Sequence, residues 1–266
     1  MKNSISCVLI LLFLASCERV IDLDLRNDAG KFVIEGNITD QTGAQNIRLS
    51  TNVPFSDQTS SPPVSGAQIN ITDDKGNRYI FTEGPAGTYT AQSLAGIYGR
   101  SYAMTTAIGD KIFSATSKMP SLVKLDSVTT RKDKFEDDDD TRLISVHYQD
   151  PIGTPNQYRF IVYVNGALVK RIFVNNDQYS DGRPVTFDLQ FDDDNDPKVY
   201  PGDTVKVEMQ CIDEKVYTYW YSLSSQQGVE GPGGSVTPAD PPTNIRPISL
   251  GYFSAHTTES KTIIVR

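Results

Sequence analysis

Short runs in which apolar and polar residues alternate dominate this chain, and a period of two is what a strand with one buried face imposes. Between residues 28 and 120 such runs occur at KFVIEGNI, NIRLSTNV, SYAMTTAI and KIFSATS. The clearest is SGAQINITDDKGNRYIF, where Ala67, Ile69 and Ile71 alternate before the DDKGN turn and Tyr79 and Phe81 resume beyond it. That pattern predicts a hairpin, and a further turn leads to a strand around Tyr89. About seven strands, with turn signals roughly every 8 to 12 residues, predict a β-sandwich.

Met119-Pro120 interrupts the pattern, because proline cannot donate to a ladder, so a second domain is expected over 121–266. LVKLDSVTTRKDKFEDDDDTRLISVHYQD reads as a strand, an acidic loop and a strand. In YRFIVYVNGALVKRIFV, Tyr158, Phe160, Val162 and Val164 share one face, and Asn165-Gly166 supplies the two left-handed positions of a type I′ turn. Strands at TFDLQF, TVKVEMQCI and TIIVR complete an all-β reading of two tandem sandwiches. One segment departs from it. Val216, Tyr219, Trp220 and Leu223 are spaced i, i+3, i+4, i+7, with Asp213 as a cap and Gly228 as a stop, which predicts a short helix over 214–225 across the mouth or side of the second sandwich. Its aromatic content leaves a strand as the alternative. The Pro/Gly-rich stretch 228–247 has no apolar period and is expected to be a loop with a functional role.

The first residues follow a different logic. Met1-Lys2-Asn3 precede an apolar run centred on Val8 to Leu14, about half of what a helix needs to cross ~30 Å of hydrocarbon. The run ends Leu14-Ala15-Ser16-Cys17, which resembles the lipobox of bacterial lipoproteins. Residues 1–16 are then a signal peptide, Cys17 the lipidated residue that would carry palmitate, and 17–27 a charged tether. Each buried methylene contributes ~0.8 kcal/mol, so two or three chains on one residue hold durably where one would not. The alternative is a soluble exported protein with an incidental cysteine. Residue 18 is Glu, so the Asp familiar as an inner-membrane retention signal is missing. An outer-membrane anchor facing the cell surface is expected, with a periplasm-facing one as the alternative.

Composition narrows the partners. A net charge of -8 argues against nucleic acid and against a polybasic contact with lipid headgroups. With Cys7 in the signal peptide and Cys17 acylated, Cys211 has no partner for a disulfide. It extends the stripe Val205, Val207, Met209, and a buried structural thiol is expected. His147 and His256 stand in no activating pattern, and no HExxH, GxSxG, P-loop or dinucleotide fingerprint occurs, so an enzyme is not expected.

Two acidic groups, Glu136 to Asp140 and Asp192, Asp193, Asp194, Asp196, either stay solvated or are neutralised by a hard cation such as Ca²⁺. Pro197 stands where an EF-hand needs glycine, so that motif is rejected. A different calcium site at Asp192, Asp194 and Asp196 stays open. Tyr217, Tyr219, Trp220, Tyr221, Tyr252 and Phe253 concentrate near the long loop, and adjacent members cannot all face inward. Tyr219, Trp220 and Tyr221 are therefore candidates for contacting a glycan, peptide or receptor, with core anchoring as the alternative for each.

The order LASCERVIDLDL, FVIEGNITD, VSGAQINITDDKGNRY, YTYWYSL, TPADPPTNI, LGYFSAH resembles the Bacteroidota lipoprotein family known as domain of unknown function 4249. The resemblance implies an outer-envelope lipoprotein whose first domain is immunoglobulin-like or carboxypeptidase-regulatory-like, with genes often near those of TonB-dependent receptors. It brings no catalytic residues with it. Three functions are expected in order: an accessory partner of a TonB-dependent receptor, a free-standing surface module for carbohydrate or protein, and a hydrolase.

Overall fold

The computed structural model describes residues 30–53, 60–133, 140–191, 196–227 and 239–266. The segment expected to be a signal peptide, Cys17 and the tether expected after it, Glu136, Asp192, Asp194 and the first half of the long loop lie outside the described residues.

The seven strands expected before residue 120 form as β1 (Phe32–Thr39), β2 (Gln45–Thr51), β3 (Gln68–Asp73), β4 (Arg78–Glu83), β5 (Thr88–Ala91), β6 (Ser101–Ile108) and β7 (Lys111–Lys118). The β3–β4 turn has a local cause. Asp73 accepts backbone N–H bonds from Lys75 and Asn77 at 3.0 and 2.9 Å, and Gly76 supplies the positive φ of +85°. The turn side chain Asn77 and the cation of Arg100 complete its shell. Burial alone would raise the Asp73 pKa, but these donors outweigh it and hold it at about 2.

The second unit is built from β8 (Leu125–Lys132), β9 (Arg142–Gln149), β10 (Gln157–Val164), β11 (Ala167–Leu168), β12 (Phe173–Asn176), β13 (Pro184–Leu189) and β14 (Thr204–Ile212). The Asn165-Gly166 turn is present, with φ of +51° and +83°, and it pairs Val164 with Ala167. Helix α1 (Glu214–Ser224), β15 (Ile245–Arg246) and β16 (Leu250–Ile264) follow.

Each unit is a sandwich around its own apolar core. Ile34, Ile47, Ile71, Tyr89, Met104 and Phe113 meet in the first, and Ile144, Tyr158, Phe160, Val207 and Met209 in the second. Cys211 is buried there as expected, its thiol pKa raised by that burial.

Strand pairing departs from the expected boundary at residue 120. LGYFSA and the first three residues of TIIVR are parts of one 15-residue strand, β16. Its first half, Leu250 to His256, runs parallel to β1, and its second half, Thr257 to Ile264, pairs antiparallel with β14. Ile245 and Arg246 at the end of the long loop likewise pair with β7 of the first sandwich. Alternation identifies a strand but carries no information about its partner. Residues 245–256 therefore complete the first sandwich, and the two units share β16 as a common rung.

Candidate functional site

Helix α1 starts where the sequence predicts. Asp213 Oδ1 accepts the N–H groups of Lys215 and Val216, each at 3.0 Å. The other oxygen of Asp213 takes the hydroxyl of Ser117 on β7, whose Oγ also accepts from Ala255 N at 2.9 Å. The cap therefore ties the helix to the first sandwich as well as to its own backbone.

The inner face of α1 covers the junction of the two units. Arg159 points outward from β10, and its guanidinium lies 3.5 Å from the centre of the Trp220 ring, a cation–π contact. The rings of Tyr219 and Trp220 each lie 5.0 Å from that of Tyr252 on β16, and 5.2 Å from one another edge to face. Asn37 on β1 donates to the Tyr252 hydroxyl at 3.2 Å, and Arg159 donates to Gln210 at 3.4 Å. Burial raises the pKa of Tyr219 and of Tyr252. Beneath this layer His256 is 2 % exposed, and desolvation first, then Arg159, lowers its pKa to about 3. Its neutral ring hydrogen-bonds Ser254 Oγ at 3.0 Å.

Tyr219 and Trp220 therefore anchor the helix, which is the alternative reading of their role, while Tyr221 is differently placed. It is 54 % exposed and stacks on Tyr217, one helical turn away, at 5.7 Å and 23°. Beside it lies a cleft of about 260 Å³, bounded by Tyr221, Ser224 and Gln227 of the helix end, by Arg171 to Val174, and by Phe187, Asp188 and Gln190. Gln227 Oε1 accepts from Ile172 N at 2.9 Å and closes one side. Gln226 exchanges two hydrogen bonds with the backbone of Ala239, which leashes the long loop to the helix end. Asp188 holds Ser145 at 2.6 Å and pairs with Arg131.

Of the acids expected to bind calcium, Asp196 sits 3.6 Å from Arg171, at the edge of this cleft. Arg159 was invisible as a site residue in the sequence. Its only signal is the alternation in YRFIVYV, which places it opposite the core face. His147, half-exposed, lies between the hydroxyls of Thr129 and Thr186 at 2.7 and 3.0 Å.

No curated protein matches the chain. Among solved structures it is similar to a DUF4785 family protein from Legionella pneumophila at 12 % identity, over 68 % of this chain and 52 % of that one, with a TM-score of 0.27. The adhesin InvE of Yersinia pseudotuberculosis matches at 16 % identity over 68 % and 55 %, TM-score 0.22. The chain thus spans about half the length of these two. A segment of two fibronectin type-III domains from chicken tenascin matches at 14 % identity over 69 % and 91 %, TM-score 0.21. The model of one family covers residues 18–262, nearly the whole of the sequence after Cys17, and the chain belongs to that family, Domain of unknown function (DUF4249).

Proposed function

We propose that this protein is a non-catalytic binding module held at the outer membrane by a lipid on Cys17, and that it presents the outer flank of α1 to a protein partner. The partner we favour is a TonB-dependent receptor, whose accessory this chain would be. The observation that carries the reading is the exposed Tyr221 ring, stacked on Tyr217 at the rim of the cleft, on a helix whose other face is fixed to both sandwiches. A rigid aromatic on an immobile support costs little side-chain entropy on binding, which is why tyrosine recurs at interface centres.

Photo-crosslinkers placed at position 221 and, as a control, at Ile80 on β4 of the first sandwich test this in native membranes. Both residues are exposed. A discrete adduct with one outer-membrane protein from position 221 but not from 80 is expected. Adducts from 80 alone, or from neither, reject the surface, and palmitate labelling that survives Cys17→Ser rejects the anchor.

The mixture of Phe173 and Phe187 with Arg171, Asp188 and Gln190 around the cleft favours one second reading, a glycan site. Glycan-array binding that disappears in Tyr221→Ala, with the melting temperature unchanged, would select it.

A further inference from the structure

At one end of the second sandwich, the loop from β9 to β10 meets the turn from β12 to β13. Asp150, immediately after β9, is 1 % exposed, and Asp177 and Asp181 come from the opposing turn. One oxygen from each of the three carboxylates lies within 4.8 Å of the others. Among the described residues, none of the three forms an ion pair with Lys or Arg.

The backbone brings these acids together at the expense of their mutual repulsion. Asn156 N donates to Asp177 Oδ2 at 2.9 Å, Asp177 N to Asn156 O at 3.2 Å, and Gly153 N to Asp181 Oδ1 at 2.7 Å. Tyr158 donates its hydroxyl to Asp150 Oδ1. Two buried side-chain oxygens of these residues are left over. Asp150 Oδ2 is buried without a hydrogen-bond partner, and so is the side-chain Oδ1 of Asn156, a residue only 4 % exposed whose own N–H rests on Asp177. A buried carboxylate oxygen beside two further carboxylates, and a buried amide oxygen on a residue whose backbone N–H bonds one of them, are costly when unsatisfied in a finished protein. They are also the donors a hard cation takes.

We propose that Asp150, Asn156, Asp177 and Asp181 form a calcium site that clips the β9–β10 loop to the β12–β13 turn. Ca²⁺ takes six to eight oxygens at about 2.3–2.6 Å, from carboxylates, amide carbonyls and water. Two oxygens on opposite sides of such an ion stand roughly 4.8 Å apart, so the spacing of the three carboxylates is within the reach of one ion. The set contains no sulfur and no imidazole, which disfavours zinc and copper. Asp150 is the pivot. Burial first, and then Asp177 and Asp181, raise its pKa, against the Tyr158 hydroxyl and the Gly182 amide. These four residues are not members of the acidic groups at 136–140 and 192–196 that the sequence offers.

The test uses the full chain, stripped with chelator and titrated with CaCl₂ in a calorimeter, alongside melting curves with and without 10 mM Ca²⁺ and with the same concentration of Mg²⁺. A saturable heat at one ion per chain, a dissociation constant of about a millimolar or tighter, and a melting point raised by several degrees are expected. Asp177→Asn and Asp181→Asn each keep an acceptor for the loop N–H and should fold, with affinity at least tenfold weaker. Tb³⁺ provides a local readout, because Tyr158 hydrogen-bonds a proposed ligand and should sensitise its emission, which both variants should abolish. No heat and no melting shift in the parent protein would overturn the site. An unchanged response in the variants would do so too, by placing calcium elsewhere, as would an Mg²⁺ response of equal affinity.

Discussion

His256 shows how far a residue's chemistry is set by what covers it. In the sequence it closes GYFSAH and carries no motif, but in the fold it lies under α1 beside Arg159, neutral down to about pH 3. Its folded pKa is below the unfolded value of 6.5, so the stability it permits is complete above pH 6.5 and is lost as pH falls towards 3. Roughly 2 to 3 kcal/mol should disappear between pH 7 and pH 4.5. Urea melts of the parent and of His256→Gln across that window check this, and the variant should show the flatter profile. An equally steep profile in the variant would assign the loss to other groups. The aromatic candidates were half legible at this scale. Adjacent rings cannot all face one way, which foretold that some of Tyr219, Trp220 and Tyr221 stay outside. Which one does depends on Arg159, some 60 residues earlier, and no local pattern announces that pairing.

Elements whose causes are local are legible in the sequence. The DDKGN and Asn165-Gly166 turns, the seven early strands and α1 with its Asp213 cap all follow from a few neighbouring residues. Only the end of β16, in TIIVR, is legible as a strand in the sequence, because its middle, AHTTESK, loses the apolar alternation where one strand changes neighbours. Gly251, near the start of the strand, lies opposite Ile34 of β1. It has φ +93°, and a Cβ there would stand 2.0 Å from the carbonyl oxygen of Ile34 on β1. Gly251→Ala should therefore push β16 away from β1 and cost about 3 kcal/mol or more. Calorimetric melting measures the loss, and a change below about 1 kcal/mol would show that the parallel pairing tolerates a shift.

For the whole molecule, the sequence indicated two sandwiches in tandem, and the structure joins them more closely than a linker would. β16 supplies a rung to each, Asp213 reaches from the helix cap to Ser117, and the ring layer of Tyr219, Trp220 and Tyr252 lies over their junction. The partner of β1 lies more than 200 residues away along the chain, which is why periodicity could not foretell the union. Shared elements couple unfolding, so the two sandwiches should melt in a single transition, and a truncation ending at residue 244 should expose both to protease. Resistance of residues 30–120 to digestion in that truncation would show the first sandwich to be self-sufficient.

The shared strand also imposes an order in time. A ribosome delivers β1 early and its parallel neighbour more than 200 residues later, so at ordinary elongation rates the edge of β1 stays open for about 10 seconds or more. During that interval the nascent chain cannot close its first core, and its exposed β1 edge is open to a chaperone that holds unfolded polypeptide.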